Sequence, residues 1–185
     1  EHWQLNADIM GIAGIEAEVE IIELAYKIMR AFGAKDEDFI IRVSNRKKLE
    51  NALLEKGIAQ ENIPAIFRLL DRKGKMPEDE RRTEMEKLGY RKNMNIETWA
   101  PDAEYLKQKG ITNIEFDSSI VRGFDYYTGM VFEVFDTDAE NRRSLFGGGR
   151  YDNLLELFGV DPVPTVGFGM GDVTIRDFLE THQLP

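Results

Sequence analysis

RGFDYYTGMVFEVFD, residues 122–136, is the stretch of sequence that decides the fold class. Its second half, from residue 130, is rich in β-branched and aromatic residues, which is typical of a strand. Residues 113–121, NIEFDSSIV, predict another strand just before it. Residues 122–129 are too few for a helical crossover, which needs about a dozen residues. We therefore expect the two strands to be antiparallel neighbours or one bent strand, within an antiparallel sheet.

Further strands and helices are predicted on both sides of this stretch. Residues 2–10 alternate between apolar and polar side chains, which predicts a half-buried strand. Apolar residues at helical spacing follow, and glycines at 33 and 57 are typical helix ends. The fold class expected is α+β. The remaining predictions are helices over 15–32, 45–56 and 172–182, strands over 38–44 and 163–171, and a short strand, a glycine turn and a helix over 145–159.

The chain divides into three parts by composition. Residues 1–57 and 111–185 carry the β-strand patterns, whereas residues 58–110 are charged and predict only helices. We expect a helical insert over 58–110 that interrupts one β-containing core. The insert carries a basic cluster, for which a solvated face is a more ordinary explanation than an RNA contact. The cluster consists of Arg68, Arg72, Lys73 and Lys75.

Composition excludes several classes of protein. The 185 residues contain no cysteine, which excludes disulfides and thiolate chemistry, and no apolar run approaches the length of a membrane span. The net charge is −10, from 24 basic and 34 acidic residues, which argues against broad nucleic-acid binding by this chain alone. Neither histidine lies in a metal-ligand spacing, so no metal site is expected. The chain begins within an alternating pattern, which suggests a fragment of a longer protein.

Three segments carry polar residues that packing alone does not explain. Gln4, Asn6 and Asp8 share one face of the first predicted strand, where they could bind a polar or cationic ligand or simply face solvent. Residues 122–129 combine an arginine, two tyrosines and two glycines, which suits an anion site but also fits a hairpin. Residues 146–153, FGGGRYDN, place three glycines before a predicted helix, whose N-terminus could attract an anion.

Taken together, HWQLNADIMG, RGFDYYTGMVFE, GGGRYDNLL and VGFGMGD resemble the catalytic domain of the histidyl-tRNA synthetases, a family of class II aminoacyl-tRNA synthetases. RGFDYYTG resembles the histidine-specific signature of that family. The first ten residues resemble the end of its motif 2, and VPTVGFGMG with the following helix resembles motif 3. The resemblance runs from residue 1 to about residue 180. It implies a class II synthetase-type antiparallel sheet flanked by helices, without the motif 1 region and the anticodon-binding domain.

The resemblance also implies an activity and a site. The family is a cytoplasmic, ATP-dependent ligase of protein biosynthesis, dimeric at full length, which joins L-histidine to tRNA(His) through a histidyl-adenylate. Its Mg²⁺ arrives with ATP as part of the substrate. Arg122 would be catalytic at the ATP α-phosphate. The histidine-binding residues implied are Gln4, Asp8, Arg122, Tyr126, Tyr127 and Tyr151, and the ATP-binding residues are Arg122, Gly169, Gly171 and Thr174.

Two features qualify this interpretation. Thr174 stands where motif 3 of the family usually has an arginine that stacks on adenine, and Arg176 is turned about 200° away around a helix. The family's fold also serves as a non-catalytic regulatory subunit of ATP phosphoribosyltransferase in histidine biosynthesis. The complete RGFDYYTG string favours the ligase over that alternative. A fragment that lacks motif 1 and the motif 2 loop is expected to be inactive alone.

Overall fold

A mixed sheet of six strands forms the centre of the described part of the chain. The computed structural model describes residues 1–91, 94, 101–120 and 126–185. The strand order is β1-β6-β5-β4-β2-β3, and every pair is antiparallel except β2 with β3. The fold is therefore α+β, as predicted. The strands are β1 (Gln4–Met10), β2 (Phe39–Asn45), β3 (Ile114–Phe116), β4 (Met130–Asp136), β5 (Ser144–Arg150) and β6 (Thr165–Gly171).

The helices begin and end where local chemistry dictates. The Asn45 side chain accepts a hydrogen bond from the Lys48 N–H at 3.0 Å and so caps the second helix. Gly33 and Gly57 follow two helices with φ of +91° and +84°, a region that favours glycine. The helices are α1 (Ile15–Ala31), α2 (Arg46–Glu55), α3 (Ile63–Asp71), α4 (Glu78–Lys87), α5 (Pro101–Gln108) and α6 (Asp172–Thr181), with 3₁₀ turns at Gln60–Asn62 and Leu154–Phe158.

Two hydrophobic clusters hold the described part of the chain together. The main cluster joins one face of the sheet to α1, α5 and α6, and Met29, Phe132 and Phe178 are among its buried members. The second cluster joins α2, α3 and α4 around Leu53 and Ile66. Leu106 of α5 belongs to the main cluster, although the sequence places it within the helical insert. The domain boundaries at 57/58 and 110/111 stay predictions.

The strand predicted over residues 113–121 is shorter in the structure. β3 ends at Phe116, because the Asp117 carboxylate accepts hydrogen bonds from the backbone N–H and the hydroxyl of Ser119 at 2.9 and 2.7 Å and turns the chain. β3 and β4 run in opposite directions, yet β2 lies between them. The expectation that they are neighbours or one bent strand was therefore wrong.

The triple glycine of residues 147–149 lies inside a strand, and the predicted glycine turn is wrong. The three glycines form the middle of β5, where they pair with both β4 and β6. A Cβ atom at Gly149 would lie 2.5 Å from the Met130 carbonyl oxygen. Glycine is therefore selected here by close approach of the neighbouring strands rather than by turn geometry.

No helix in the described ranges is both long and apolar enough to cross a bilayer.

Candidate functional site

The face of the sheet opposite the main hydrophobic cluster carries a floor of glycines. Gly167 and Gly169 of β6 lie opposite Asp8 and Asn6 of β1. Gly147 and Gly149 of β5 lie opposite Gly169 and Gly167 and extend the row. Because directly opposed residues point to the same face, these four positions leave the centre of that face without side chains. We call Gly147, Gly149, Gly167 and Gly169 the glycine floor.

The glycine floor brings polar side chains close to main chain. A Cβ atom at Gly167 would overlap the Asp8 carboxylate, and one at Gly169 would lie 2.5 Å from Gln4 Nε2. On the other side, a Cβ atom at Gly149 would lie 3.0 Å from the Tyr127 ring. The missing side chains therefore let the surrounding polar groups bend inward over the sheet, and the result is a shallow cleft.

The cleft has a volume of about 320 Å³. That is the lower end of the usual range for small-molecule pockets, so it suits a small ligand. Five residues that the sequence predicts for histidine binding converge on it, from β1, from the segment before β4 and from the end of β5. Its lining residues are Gln4, Asn6, Asp8, Tyr126, Tyr127, Gly147, Tyr151, Leu154, Gly167, Phe168 and Gly169.

Three tyrosines form one wall of the cleft. The ring centroids of Tyr126 and Tyr127 are 4.9 Å apart, and the Tyr151 ring lies 5.8 Å from the first and 6.2 Å from the second. The Tyr151 ring stands nearly edge-on to both, an arrangement that aromatic pairs favour. Three phenol groups therefore line a site next to a carboxylate, and each can donate or accept a hydrogen bond.

The opposite rim is polar. The Gln4 amide donates to Asn6 Oδ1 at 2.7 Å, and the Tyr151 hydroxyl donates to the Asp8 carboxylate. This second bond joins the two rims across the glycine floor. Asp8 keeps further lone pairs after accepting it, so it can also accept from an N–H of a bound ligand.

Tyr127 and Tyr151 are held in the neutral form. Burial raises the pKa of Tyr151, and the hydrogen bond and negative charge of Asp8 raise it further. Burial also raises the pKa of Tyr127, with smaller contributions from Tyr126, Glu133 and Asp8. Both hydroxyls therefore keep a proton to donate throughout the physiological pH range.

Two residues of this region escaped the sequence analysis. Glu133 lies opposite Gly147 on the same face and acts electrostatically on Tyr127. It is the only charged residue of MVFEVF, residues 130–135. A lone carboxylate in an apolar strand is the sequence feature that could have indicated it. Arg150 lies within the quoted GGGRY string, but its side chain points to the opposite face from Tyr151, among the helices.

The residues predicted for ATP binding are only partly brought together. Gly169 lies in the floor, and Gly171 ends β6 just before α6. The Thr174 hydroxyl donates to the Leu145 carbonyl at 2.5 Å and so ties α6 to β5. Arg176 is exposed and lies 4.0 Å from Glu180, an arrangement of a solvent-facing helix. The catalytic and substrate contacts predicted for Arg122 lie outside the described residues.

Several solved structures share this fold and carry the name of histidyl-tRNA synthetase or histidine–tRNA ligase. A histidine–tRNA ligase subunit from Alicyclobacillus acidocaldarius superimposes with a TM-score of 0.78 at 21% identity, covering 97% of this chain and 65% of that one. Histidyl-tRNA synthetase from Nostoc sp. gives 0.73 at 22% identity, covering 98% and 51%. A Bacillus halodurans structure titled both ATP phosphoribosyltransferase regulatory subunit and histidyl-tRNA synthetase gives 0.71 at 21%, covering 94% and 52%. The chain thus shares the fold of these synthetase structures.

Sequence comparison names the family. A family model described as histidyl-tRNA synthetase matches residues 78–173. Histidine–tRNA ligase of Leptospira biflexa is 39% identical over 211 residues, covering 100% of this chain and 48% of that protein. The Thermoplasma volcanium enzyme of the same name is 34% identical, covering 98% and 48%. The chain belongs to the histidyl-tRNA synthetase family. It spans about half the length of these curated relatives.

Proposed function

We propose that the protein to which this chain belongs is a histidine–tRNA ligase and that the cleft over the glycine floor binds L-histidine. The observation that carries this proposal is the convergence of Asp8, Tyr127 and Tyr151 on one small cleft in a chain of this family. Asp8 lies more than a hundred positions from both tyrosines in sequence, yet it faces them across four glycines. Gln4 and Tyr126 complete the proposed pocket.

The side chains match the chemistry of the histidine molecule. The Asp8 carboxylate would accept from the ammonium group or an imidazole N–H, and the Tyr127 hydroxyl would hydrogen-bond an imidazole nitrogen. An apolar amino acid of similar size would cover these polar groups without pairing them, which costs far more than a missing methylene group. The pocket therefore favours histidine by polar complementarity rather than by volume.

The proposed reaction has two steps. In the first, a histidine carboxylate oxygen attacks the α-phosphorus of ATP, which enters with Mg²⁺, and pyrophosphate leaves. In the second, a terminal hydroxyl of tRNA(His) attacks the carbonyl carbon of the adenylate, and AMP leaves. Gly169, Gly171 and Thr174 are proposed to border the ATP site. We further propose that the full-length protein works in the cytoplasm as a homodimer.

Arg122 is proposed to stabilise the negative charge that grows at the α-phosphate during the first step. This role rests on the resemblance of RGFDYYTG to the family signature. Replacing Arg122 with lysine keeps the charge but removes the planar fork, so kcat for histidine-dependent pyrophosphate exchange should fall on the order of 10²-fold. The Tm should barely change. A variant with near-normal exchange would remove Arg122 from the mechanism.

The decisive test is pyrophosphate exchange by the full-length protein. Exchange into ATP should require histidine, and an equal concentration of phenylalanine should not replace it. Asp8→Asn should raise KM for histidine more than KM for ATP, because the carboxylate is proposed to contact only the amino acid. A protein that binds histidine without any exchange would overturn the ligase proposal and favour the regulatory paralogue.

A further inference from the structure

Arg150 is a buried arginine directly behind the cleft. Only 7% of its side chain is exposed, and its Nε atom donates to Glu18 Oε1 of α1 at 2.7 Å. Nη1 donates to the Ile12 carbonyl at 3.2 Å and to Asp152 Oδ1 at 3.1 Å, and Nη2 donates to the Gly14 carbonyl at 3.0 Å. One planar guanidinium therefore joins three separate parts of the chain.

The first of these parts leads directly to the β1 rim of the cleft. Ile12 and Gly14 lie in the loop between β1 and α1, and Asp8 lies near the end of β1. The two carbonyls that Arg150 holds fix the course of this loop, and Glu18 ties it to α1. Any shift of the loop would move the end of β1, and Asp8 would move with it.

The tyrosine wall is joined to the same arginine. The backbone carbonyl of Arg150 accepts from the Thr128 N–H at 2.8 Å, and Thr128 directly follows Tyr127. Asp152, held by Arg150, accepts from the Thr165 N–H at 3.1 Å, and its own N–H donates to the Thr128 hydroxyl at 3.1 Å. Tyr151 lies between these two bonded residues, so its backbone is fixed from both sides.

We propose that Arg150 is a positioning residue for the histidine pocket, which sets the spacing of Asp8, Tyr127 and Tyr151 without touching the substrate. This inference rests on the proposed function of the cleft. The side chain that holds the pocket residues in place would thus lie on the opposite face of the sheet.

The chemistry of the site requires arginine. A guanidinium presents five N–H donors in one plane, and here it serves four acceptors from different directions. Lysine has no such fork. Burial disfavours the Arg150 charge, but the hydrogen bonds and charges of Glu18 and Asp152 outweigh burial and raise its pKa. The group therefore stays charged at any working pH.

The test uses the full-length protein in histidine-dependent pyrophosphate exchange. Arg150→Lys keeps the charge but loses most of the fork, so the pocket groups should drift apart. We expect KM for histidine to rise roughly tenfold or more, since small misplacements have large effects on bound geometry. KM for ATP should change less than about twofold if the loss is confined to the amino-acid pocket.

A matched variant controls for the general effect of losing an ion pair between a mostly buried arginine and a carboxylate. Arg81 pairs with Glu78 at 2.5 Å in α4, and its side chain is 12% exposed. Arg81→Lys also replaces a planar guanidinium with a single ammonium group, but in α4. It should leave both KM values unchanged.

A second pair of variants separates positioning from stability. Arg150→Met alone would leave the Glu18 carboxylate buried without its guanidinium and should lower the Tm. Adding Glu18→Gln removes that charge and should restore much of the Tm, while KM for histidine stays high. Recovery of KM together with Tm would show a merely structural role and overturn the inference.

The outcomes also distinguish this inference from the proposed function. A wild-type protein without histidine-dependent exchange overturns the proposed function itself. A wild-type protein that exchanges normally, with Arg150→Lys indistinguishable from it, overturns only the positioning role of Arg150.

Discussion

At the scale of single residues, the burial of Tyr151 and its bond to Asp8 make stability depend on alkaline pH. The folded chain raises the pKa of the Tyr151 phenol, so the proton is held more tightly than in the unfolded chain. The resulting stability is complete below the ordinary tyrosine pKa of 10.0 and is lost as the pH rises above it. Tyr151→Phe should therefore flatten the fall in Tm above pH 10.

Asp8→Asn serves as the comparison for this effect. It removes the carboxylate but leaves Tyr151 buried, so the alkaline fall should shrink without disappearing, because burial is the larger cause. Melting curves at a series of pH values provide the measurement. Equal slopes for the wild type and Tyr151→Phe would show that Tyr151 does not cause the alkaline fall, and equal slopes for the wild type and Asp8→Asn would show that the bond to Asp8 adds nothing to it.

His182 should contribute to stability rather than to catalysis. Its Nε2 atom lies 2.8 Å from Asp136 Oδ1, and the Asp136 side chain is fully buried. His182→Ala removes one partner of this carboxylate and should lower the free energy of unfolding by about 1–3 kcal/mol. His182→Gln can still donate an N–H and should lose less. Chemical denaturation measures both, and equal losses would contradict the assignment.

Individual residues also show what sequence reasoning could reach. Strand periodicity alone put Gln4 and Asp8 on one face, and the structure places both at the cleft. The neighbours of Arg150 could not be predicted, because Glu18 and the Ile12 carbonyl come near it only through the tertiary fold. Periodicity describes one secondary-structure element at a time, whereas the hydrogen bonds of Arg150 join three separate parts of the chain.

At the scale of secondary-structure elements, β5 shows why the same glycines predicted the wrong structure. Three consecutive glycines usually indicate a turn, because they cost much conformational entropy elsewhere. Here strand pairing with β4 and β6 overrides that tendency. By contrast, β4 was predicted at its observed bounds, since its apolar run is buried between two neighbouring strands.

The glycine floor can be tested by adding one methyl group. Gly167→Ala would place a Cβ atom against the Asp8 carboxylate and the Ala7 carbonyl oxygen, and would push this part of β1 and Asp8 away from Tyr151. KM for histidine should rise at least tenfold in the full-length protein, as expected for a displaced binding group. Gly171→Ala is the stability control, because a Cβ atom there meets nothing within 4 Å. Its Tm should equal that of the wild type.

This prediction has a clear contrary result. A Gly167→Ala protein with unchanged KM for histidine would show that Asp8 is free to move or does not contact the amino acid. Loss of activity through unfolding would instead appear as a lower Tm that Gly171→Ala does not share.

At the scale of the whole molecule, the two hydrophobic clusters predict that two parts of the chain can unfold locally and separately from each other. Ile66 is fully buried in the cluster of α2, α3 and α4, and Met29 is fully buried in the sheet cluster. Ile66→Ala should lower the free energy of unfolding by about 2–5 kcal/mol, and the cluster of α2, α3 and α4 should lose stability first. Amide hydrogen exchange should speed up in α3 and α4 while β4 to β6 keep their protection.

Met29→Ala is the reciprocal variant. It should speed up exchange in the sheet and in α1 by a similar mechanism. Exchange that accelerates uniformly over both clusters in either variant would show that they unfold as one cooperative unit. The sequence alone could not predict this division, because α2 was placed with the core by its position in the chain.

The glycine floor finally has a consequence for inhibitor design. A compound that lies flat against Gly147, Gly149, Gly167 and Gly169 would contact peptide groups rather than side chains. Resistance commonly arises by substitution of a side chain that the drug contacts. Here any substitution adds atoms where neighbouring groups leave little room. Substitutions that expel the compound would also disturb the proposed substrate site. The floor is therefore a target that mutation cannot easily alter.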